Sequence, residues 1–113
     1  MTGEEEATST AGQIVHHVLF WLRDEASASD REDLIAGLRG LAEIDVVRSV
    51  RVGVPAGTES RDVVDASFDV SELMIFDSVA DQQVYQDHPL HRAFVAKCGH
   101  LWRKVVVYDV ATL

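Results

Sequence analysis

An α+β fold of order β-α-β-β-α-β, built on a four-stranded antiparallel sheet, is predicted by three features of the chain. Four segments rich in β-branched and aromatic residues are interleaved with helix-forming stretches. The first of these strands is apolar on both faces, which calls for cover on each side of the sheet. A length of 113 residues leaves room for one domain around one core.

The opening stretch, Met1 to Gly12, holds Glu4, Glu5 and Glu6 and no large apolar residue beyond Met1. It reads as a solvated acidic tail, with the folded domain spanning 13–113. Ile14 to Leu22 is the first strand. Period two puts Ile14, His16, Val18, Phe20 and Leu22 on one face and Val15, His17, Leu19 and Trp21 on the other. Ser29-Asp30-Arg31-Glu32 has capping-box spacing and opens a helix whose Leu34, Leu38 and Leu41 form one stripe. Val46 to Val54 is the second strand, with Arg48 interrupting it. The Pro55 to Ser60 loop leads to a third strand from about Phe68 to Phe76. Asp77-Ser78 caps a short helix to about Gln86. His88-Pro89 starts another, since proline suits the first helical position. Leu90, Phe94 and Leu101 lie on one side of it, with His91, Val95 and Cys98 beside them. The last strand runs from about Arg103 to Val110. This order is the split βαβ, or ferredoxin-like, arrangement with helices on one sheet face.

The other face carries His17, Leu19 and Trp21. At ~25 cal/mol per Å2, leaving such side chains in water forfeits several kcal/mol, and a large apolar sheet face signals a partner. A homodimer with the two sheets face to face is therefore expected.

Charge removes other partners. With 19 acids against 10 Lys and Arg the net charge is −9, and 16 acids remain without the tail's three. Nucleic acid and anionic lipid are not expected partners. The apolar runs are too short to span a bilayer, and no basic n-region precedes them. Cys98, the one cysteine, allows no internal disulfide, which fits a cytoplasmic protein, and its place on an apolar helical face marks an inert core thiol. No cofactor is expected: neither a phosphate-cradling glycine loop nor a Gly-x-Ser-x-Gly elbow occurs. His88 and His91, with His16, are the nearest to a metal set. Pro89 fixes the turn between the first two and no Cys or Glu is placed to complete it, so no metal is expected either.

His16-His17-Val18-Leu19-Phe20-Trp21-Leu22-Arg23 resembles the opening strand of the stress-responsive α/β-barrel proteins. Val50-Arg51-Val52-Gly53 and Phe68-Asp69 with Phe76 resemble the next two. Tyr85-Gln86-Asp87-His88-Pro89-Leu90-His91 is similar to that family's most diagnostic motif, and Val105-Val106-Val107-Tyr108-Asp109 to its closing strand. The resemblance covers about Ile14 to Val110 and implies a dimeric α+β barrel, in a family most of whose members have no assigned reaction. A plant polyketide cyclase of that family pairs a tyrosine with a histidine in catalysis, which implies those roles for Tyr85 and His91. An opening-strand histidine lines the cavity of that enzyme and corresponds by register to His16, and a further cavity histidine falls on Val70 here, a departure that argues against the same substrate.

The residues themselves allow acid–base chemistry. A phenol near pKa 10 needs a partner to share its proton at pH 7, and a histidine near 6.5 can serve. Asp109, close to the end of the last strand, is placed to orient the His91 imidazole. The same groups paired with one another also satisfy a core without any reaction. Three functions follow. One is a homodimer whose sheet–helix cavity, lined by His16, Val18, Phe20, Tyr85 and His91, with Val70 from the resemblance, holds a small apolar or aromatic molecule. Another is a non-enzymatic stress or interaction protein. The third is a polyketide-cyclase-like acid–base enzyme.

Overall fold

The computed structural model describes residues 9–113. The strands are β1 (Ile14–Leu22), β2 (Ser49–Gly53), β3 (Val70–Phe76) and β4 (Trp102–Ala111). The helices are α1 (Ala28–Gly40), α2 (Val79–Asp87) and α3 (Pro89–Cys98), with 3-10 turns at Leu41–Glu43 and Gly99–Leu101. The sheet runs β2-β3-β1-β4, every neighbouring pair antiparallel. This is the ferredoxin-like α+β arrangement. Among the described residues no helix is long and apolar enough to cross a membrane.

Register explains which side chains reach the core. Phe20, Val18 and His16 of β1 stand opposite Val70, Glu72 and Met74 of β3. These inward positions are buried beneath Leu34 and Leu38 of α1, Tyr85 of α2 and Phe94 and Cys98 of α3. Leu90 and Val95, which flank that face of α3, are about half exposed instead. The Cys98 thiol is buried, and burial pushes its pKa up.

Several boundaries differ from the sequence expectation. The capping box of α1 is built one register earlier, by Ser27 and Asp30. The Ser27 hydroxyl accepts from the Asp30 N–H, and the Asp30 carboxylate accepts from the Ser27 N–H. Ser29 therefore lies within the first turn. Strand β2 loses Val46 and Val47 to a turn in which the Val47 N–H donates to the Ile44 carbonyl. Arg48 leaves the strand to pair with Asp77, 2.7 Å away. Asp77 is thus committed to Arg48 and Gln13, whose hydrogen bonds lower its pKa, and Ser78 alone caps α2. Of the expected tail, residues 1–8 lie outside the described residues. Thr10 to Gly12 form a turn tied to Thr112, with the Gly12 N–H donating to the Thr112 carbonyl at 2.9 Å. Gly12 there has φ +84°, a left-handed conformation that favours glycine.

Trp21 departs most from expectation. It does not stand in water awaiting a second copy but is buried within its own chain. Its indole N–H donates to the Ser67 hydroxyl at 3.1 Å, and the Lys104 ammonium lies 4.5 Å from its ring centre. The segment entering β3 supplies this cover, held by Asp69, whose N–H donates to the Phe20 carbonyl and whose carboxylate accepts from the Leu22 N–H. The outer face left open is centred on His17 and Leu19, which are half-buried.

Candidate functional site

A cavity of about 130 Å3 lies between the inward sheet face and helices α2 and α3. Strand β4 is an edge strand that the helices do not fully cover. Its inward Val105 and Val107 are therefore 42% and 47% exposed, and the cavity opens along them. Val18, Phe20, Phe94 and Trp102 give it apolar walls. His16, Glu72, Tyr85, Gln86 and His91 supply the polar groups.

His16 is 4% exposed and held from one side. Its Nδ1 lies 2.6 Å from Asp109 Oδ1. A carboxylate only accepts, so Nδ1 carries a proton and donates it, and Nε2 is the nitrogen turned inward. The Gln82 amide, 3.3 Å from the same Nδ1, can then accept from it only with its oxygen turned toward the ring. On the inner side, His16 Nε2 lies 4.0 Å from the Glu72 carboxyl.

Glu72 is the second buried polar residue of the core, 2% exposed. Desolvation favours its neutral form and pushes its pKa up to about 8. Tyr85, on α2, is likewise buried. Its phenol is held well above the ordinary range by burial and then by the Glu72 charge. His91 is pushed toward the neutral imidazole, chiefly by burial and also by His16, against an opposing backbone hydrogen bond with Gln86. At neutral pH the cavity therefore offers a carboxylic acid, a phenol and an imidazole acceptor.

The stress responsive A/B barrel domain model matches residues 14–112. The chain belongs to this family. Solved structures resemble it along nearly the whole length. A dimeric ferredoxin-like protein of unknown function from Thermobifida fusca is 24% identical with a TM-score of 0.75, covering 96% of this chain and 99% of that one. A dabb family protein with a ferredoxin-like fold from Mesorhizobium loti is 25% identical with a TM-score of 0.71, covering 90% and 98%. The hydroxynitrile lyase of Passiflora edulis is 21% identical with a TM-score of 0.78, covering 90% and 94%. At these identities the likeness is one of fold. No curated protein sequence matches the chain.

Within this barrel domain the residues singled out from the sequence are only partly brought together. His16, Val18, Phe20, Tyr85 and His91 all line the cavity. Val70 does not: it is fully buried in the core beside Met74 and Phe76. Tyr85 and His91 touch through their rings, with centroids 4.7 Å apart at 60°, and not through a hydrogen bond. Asp109 orients His16 rather than His91, because the β1–β4 register puts Asp109 directly opposite His16. His88 caps α3 through Nδ1, which accepts from the Leu90 N–H at 3.0 Å. Among the described residues no cluster of three His, Cys, Asp or Glu side chains is arranged for a metal ion.

Glu72 is the group that the sequence reading passed over. The signal was present. In Val70-Ser71-Glu72-Leu73-Met74-Ile75-Phe76, period two places one carboxyl among inward apolar residues, and an acid in such a position is rarely buried without a role. Phe94 lies on one side of its helix and Trp102 just ahead of the expected last strand, and only the tertiary fold turns both toward one space.

Proposed function

We propose that this barrel domain is a cytoplasmic homodimer that binds a small apolar or aromatic molecule in the cavity between its sheet and helices. The observation that carries this reading is the combination of apolar walls with polar groups that the chain leaves free. The Tyr85 hydroxyl and the Glu72 carboxyl make no hydrogen bond among the described residues, although both residues are buried. Buried polar groups are ordinarily satisfied, and those that are not mark places where something else supplies the partner. Dimerisation draws support from relatives of the same fold described as dimeric and from the half-buried apolar side chains on the outer sheet face. Cytoplasmic residence fits the single buried thiol, Cys98.

Benzyl alcohol is a suitable neutral probe. Amide and methyl NMR shifts on titration should map to Val18, Phe20 and His91, and Val18→Phe, which fills the cavity, should abolish them while leaving the dimer intact. Shifts scattered over the surface, or unaffected by Val18→Phe, would reject the cavity.

A second reading, acid–base turnover, is favoured by the Asp109–His16 contact. An imidazole whose Nδ1–H is fixed presents Nε2 as a base to whatever fills the cavity. This places the base on β1 in preference to the Tyr85–His91 pair. Deuterium exchange at the acidic carbon of acetylacetone, accelerated by the protein and lost in His16→Ala, would support turnover. Unchanged exchange leaves a binding protein without a reaction.

A further inference from the structure

The cavity has an unusual wall. Tyr85, His91, Phe94, Trp102 and Phe20 all line it, and each ring touches the next. The successive centroid distances are 4.7, 6.5, 5.8 and 5.0 Å. Inside this arc sits the Glu72 carboxyl, 2% exposed, with His16 Nε2 at 4.0 Å. No lysine or arginine lines the space.

We propose that the cavity selects a small organic ammonium ion, with the charged nitrogen set against Glu72 and an apolar or aromatic body held within the ring of aromatic side chains. The proposal rests on the cavity reading above and narrows its ligand class.

Three physical arguments favour this class. Aromatic faces carry negative quadrupole density, so a desolvated cation gains from several rings at once, whereas a neutral alcohol gains little from them. A buried carboxylate wants an opposite charge, and the chain provides none beyond a histidine 4.0 Å away. An anionic ligand would meet a carboxyl with no guanidinium or ammonium to offset it, on a protein whose net charge is −9.

Proton release should accompany binding. Burial holds Glu72 largely neutral below pH 8, and an ammonium beside it favours the carboxylate. The groups facing Glu72 are His16 from β1, with Asp109 of β4 behind it, Tyr85 from α2 and His91 from α3, while β2 sets the uncharged Val52 opposite.

The test compares benzylamine, benzyl alcohol and benzoate, three probes of similar shape, by calorimetric titration of the full chain at pH 7, wild type and Glu72→Gln. Benzylamine should bind at least tenfold tighter than benzyl alcohol, and benzoate weakest. Glu72→Gln should cost benzylamine at least tenfold and leave benzyl alcohol within twofold. In the wild type, benzylamine affinity should rise by up to about tenfold per pH unit from 6 toward 8, and in Glu72→Gln that rise should vanish. Should Glu72→Gln fail to fold, the wild-type pH profile and Phe94→Leu, which should weaken benzylamine more than benzyl alcohol, decide the matter. Benzyl alcohol binding as tightly as benzylamine, or benzylamine affinity indifferent to Glu72→Gln or to pH, overturns the ammonium proposal and leaves the cavity standing. Failure of both amine and alcohol to bind at millimolar concentration overturns both.

Discussion

His16 and Asp109 stand directly opposite each other on adjacent antiparallel strands, and the 2.6 Å contact between Nδ1 and Oδ1 fixes which imidazole nitrogen faces the cavity. Asp109 is half exposed while His16 is buried, so the pair links the interior to solvent across one strand spacing. Asp109→Ala should release that constraint. Histidine 15N spectra should show His16 as the Nδ1–H tautomer in the wild type and a mixture in the variant, with a stability loss of about 1 kcal/mol for the missing hydrogen bond. An unchanged tautomer would mean that Gln82 alone sets the ring.

Glu72 makes stability depend on pH in a direction opposite to that of an ordinary paired carboxylate. Its unfolded value is 4.5 and its folded value about 8. Below 4.5 both states hold the proton and the contribution is complete. Between the two values only the folded state holds it, so rising pH favours unfolding, by up to about 1.4 kcal/mol per unit, and the contribution is lost as pH passes 8. Urea midpoints at pH 5, 6.5 and 8 should fall in the wild type and flatten in Glu72→Gln, which should be the more stable protein at pH 8. A wild-type profile no steeper than that of Glu72→Gln would show that the carboxyl is solvated.

Tyr85 separates packing from hydrogen bonding. Its ring packs on Phe76 at 5.1 Å and on His91 at 4.7 Å, while its hydroxyl has no partner among the described residues. Tyr85→Phe should therefore change stability by less than about 1 kcal/mol, and Tyr85→Ala should cost about 3–5 kcal/mol by opening the core. Thermal unfolding of the two variants checks this, and a large loss in Tyr85→Phe would reveal a bonded hydroxyl.

The strands, the helices and their order were legible because they rest on local periodicity. Leu34 and Leu38 on one helical stripe, and His16, Val18 and Phe20 on one strand face, need no tertiary information. The site was legible only where it coincided with those patterns. Whether Asp109 meets His16 or His91 depends on the register of β4 against β1, a pairing separated by about ninety residues of chain. The cover over Trp21 comes from Ser67 and Lys104, one just ahead of the expected third strand and the other on the last strand. Ser27 displaced Ser29 as the helix cap because Asp30, and not Glu32, closes the box.

Two glycines of α1 should respond in opposite ways to alanine. At Gly40 an added Cβ meets nothing within 4 Å, whereas at Gly37 it comes within 3.1 Å of Cys98 Sγ and of two ring atoms of Phe94. Gly40→Ala should stabilise by about 0.5–1 kcal/mol through helix propensity. Gly37→Ala should forfeit that gain and destabilise by about 1–2 kcal/mol, since α1 and α3 must separate. Chemical denaturation of both variants measures the contrast. Stabilisation by Gly37→Ala would show that Phe94 can swing aside, which would also reshape the cavity.

Dimerisation can be tested without disturbing the cavity because the two sheet faces are chemically separate. Leu19 points outward from β1, beside Ser71 of β3 and Val106 of β4, and none of the three lines the cavity. An arginine there would be buried and unpaired at a sheet-to-sheet interface, a cost of several kcal/mol that a dimer of ordinary affinity does not survive. Leu19→Arg should therefore sediment as a single subunit at about 10 μM with its fold intact. Trp21→Phe is the informative companion, since Trp21 is covered by Ser67 and Lys104 of its own chain. It should lower stability and leave the dimer unchanged. If Trp21→Phe dissociates the assembly while Leu19→Arg does not, the interface lies toward the end of β1 and the sheets do not meet face to face. A wild-type protein that sediments as one subunit at this concentration would leave the outer face of the sheet without its partner and would remove the homodimer from the reading.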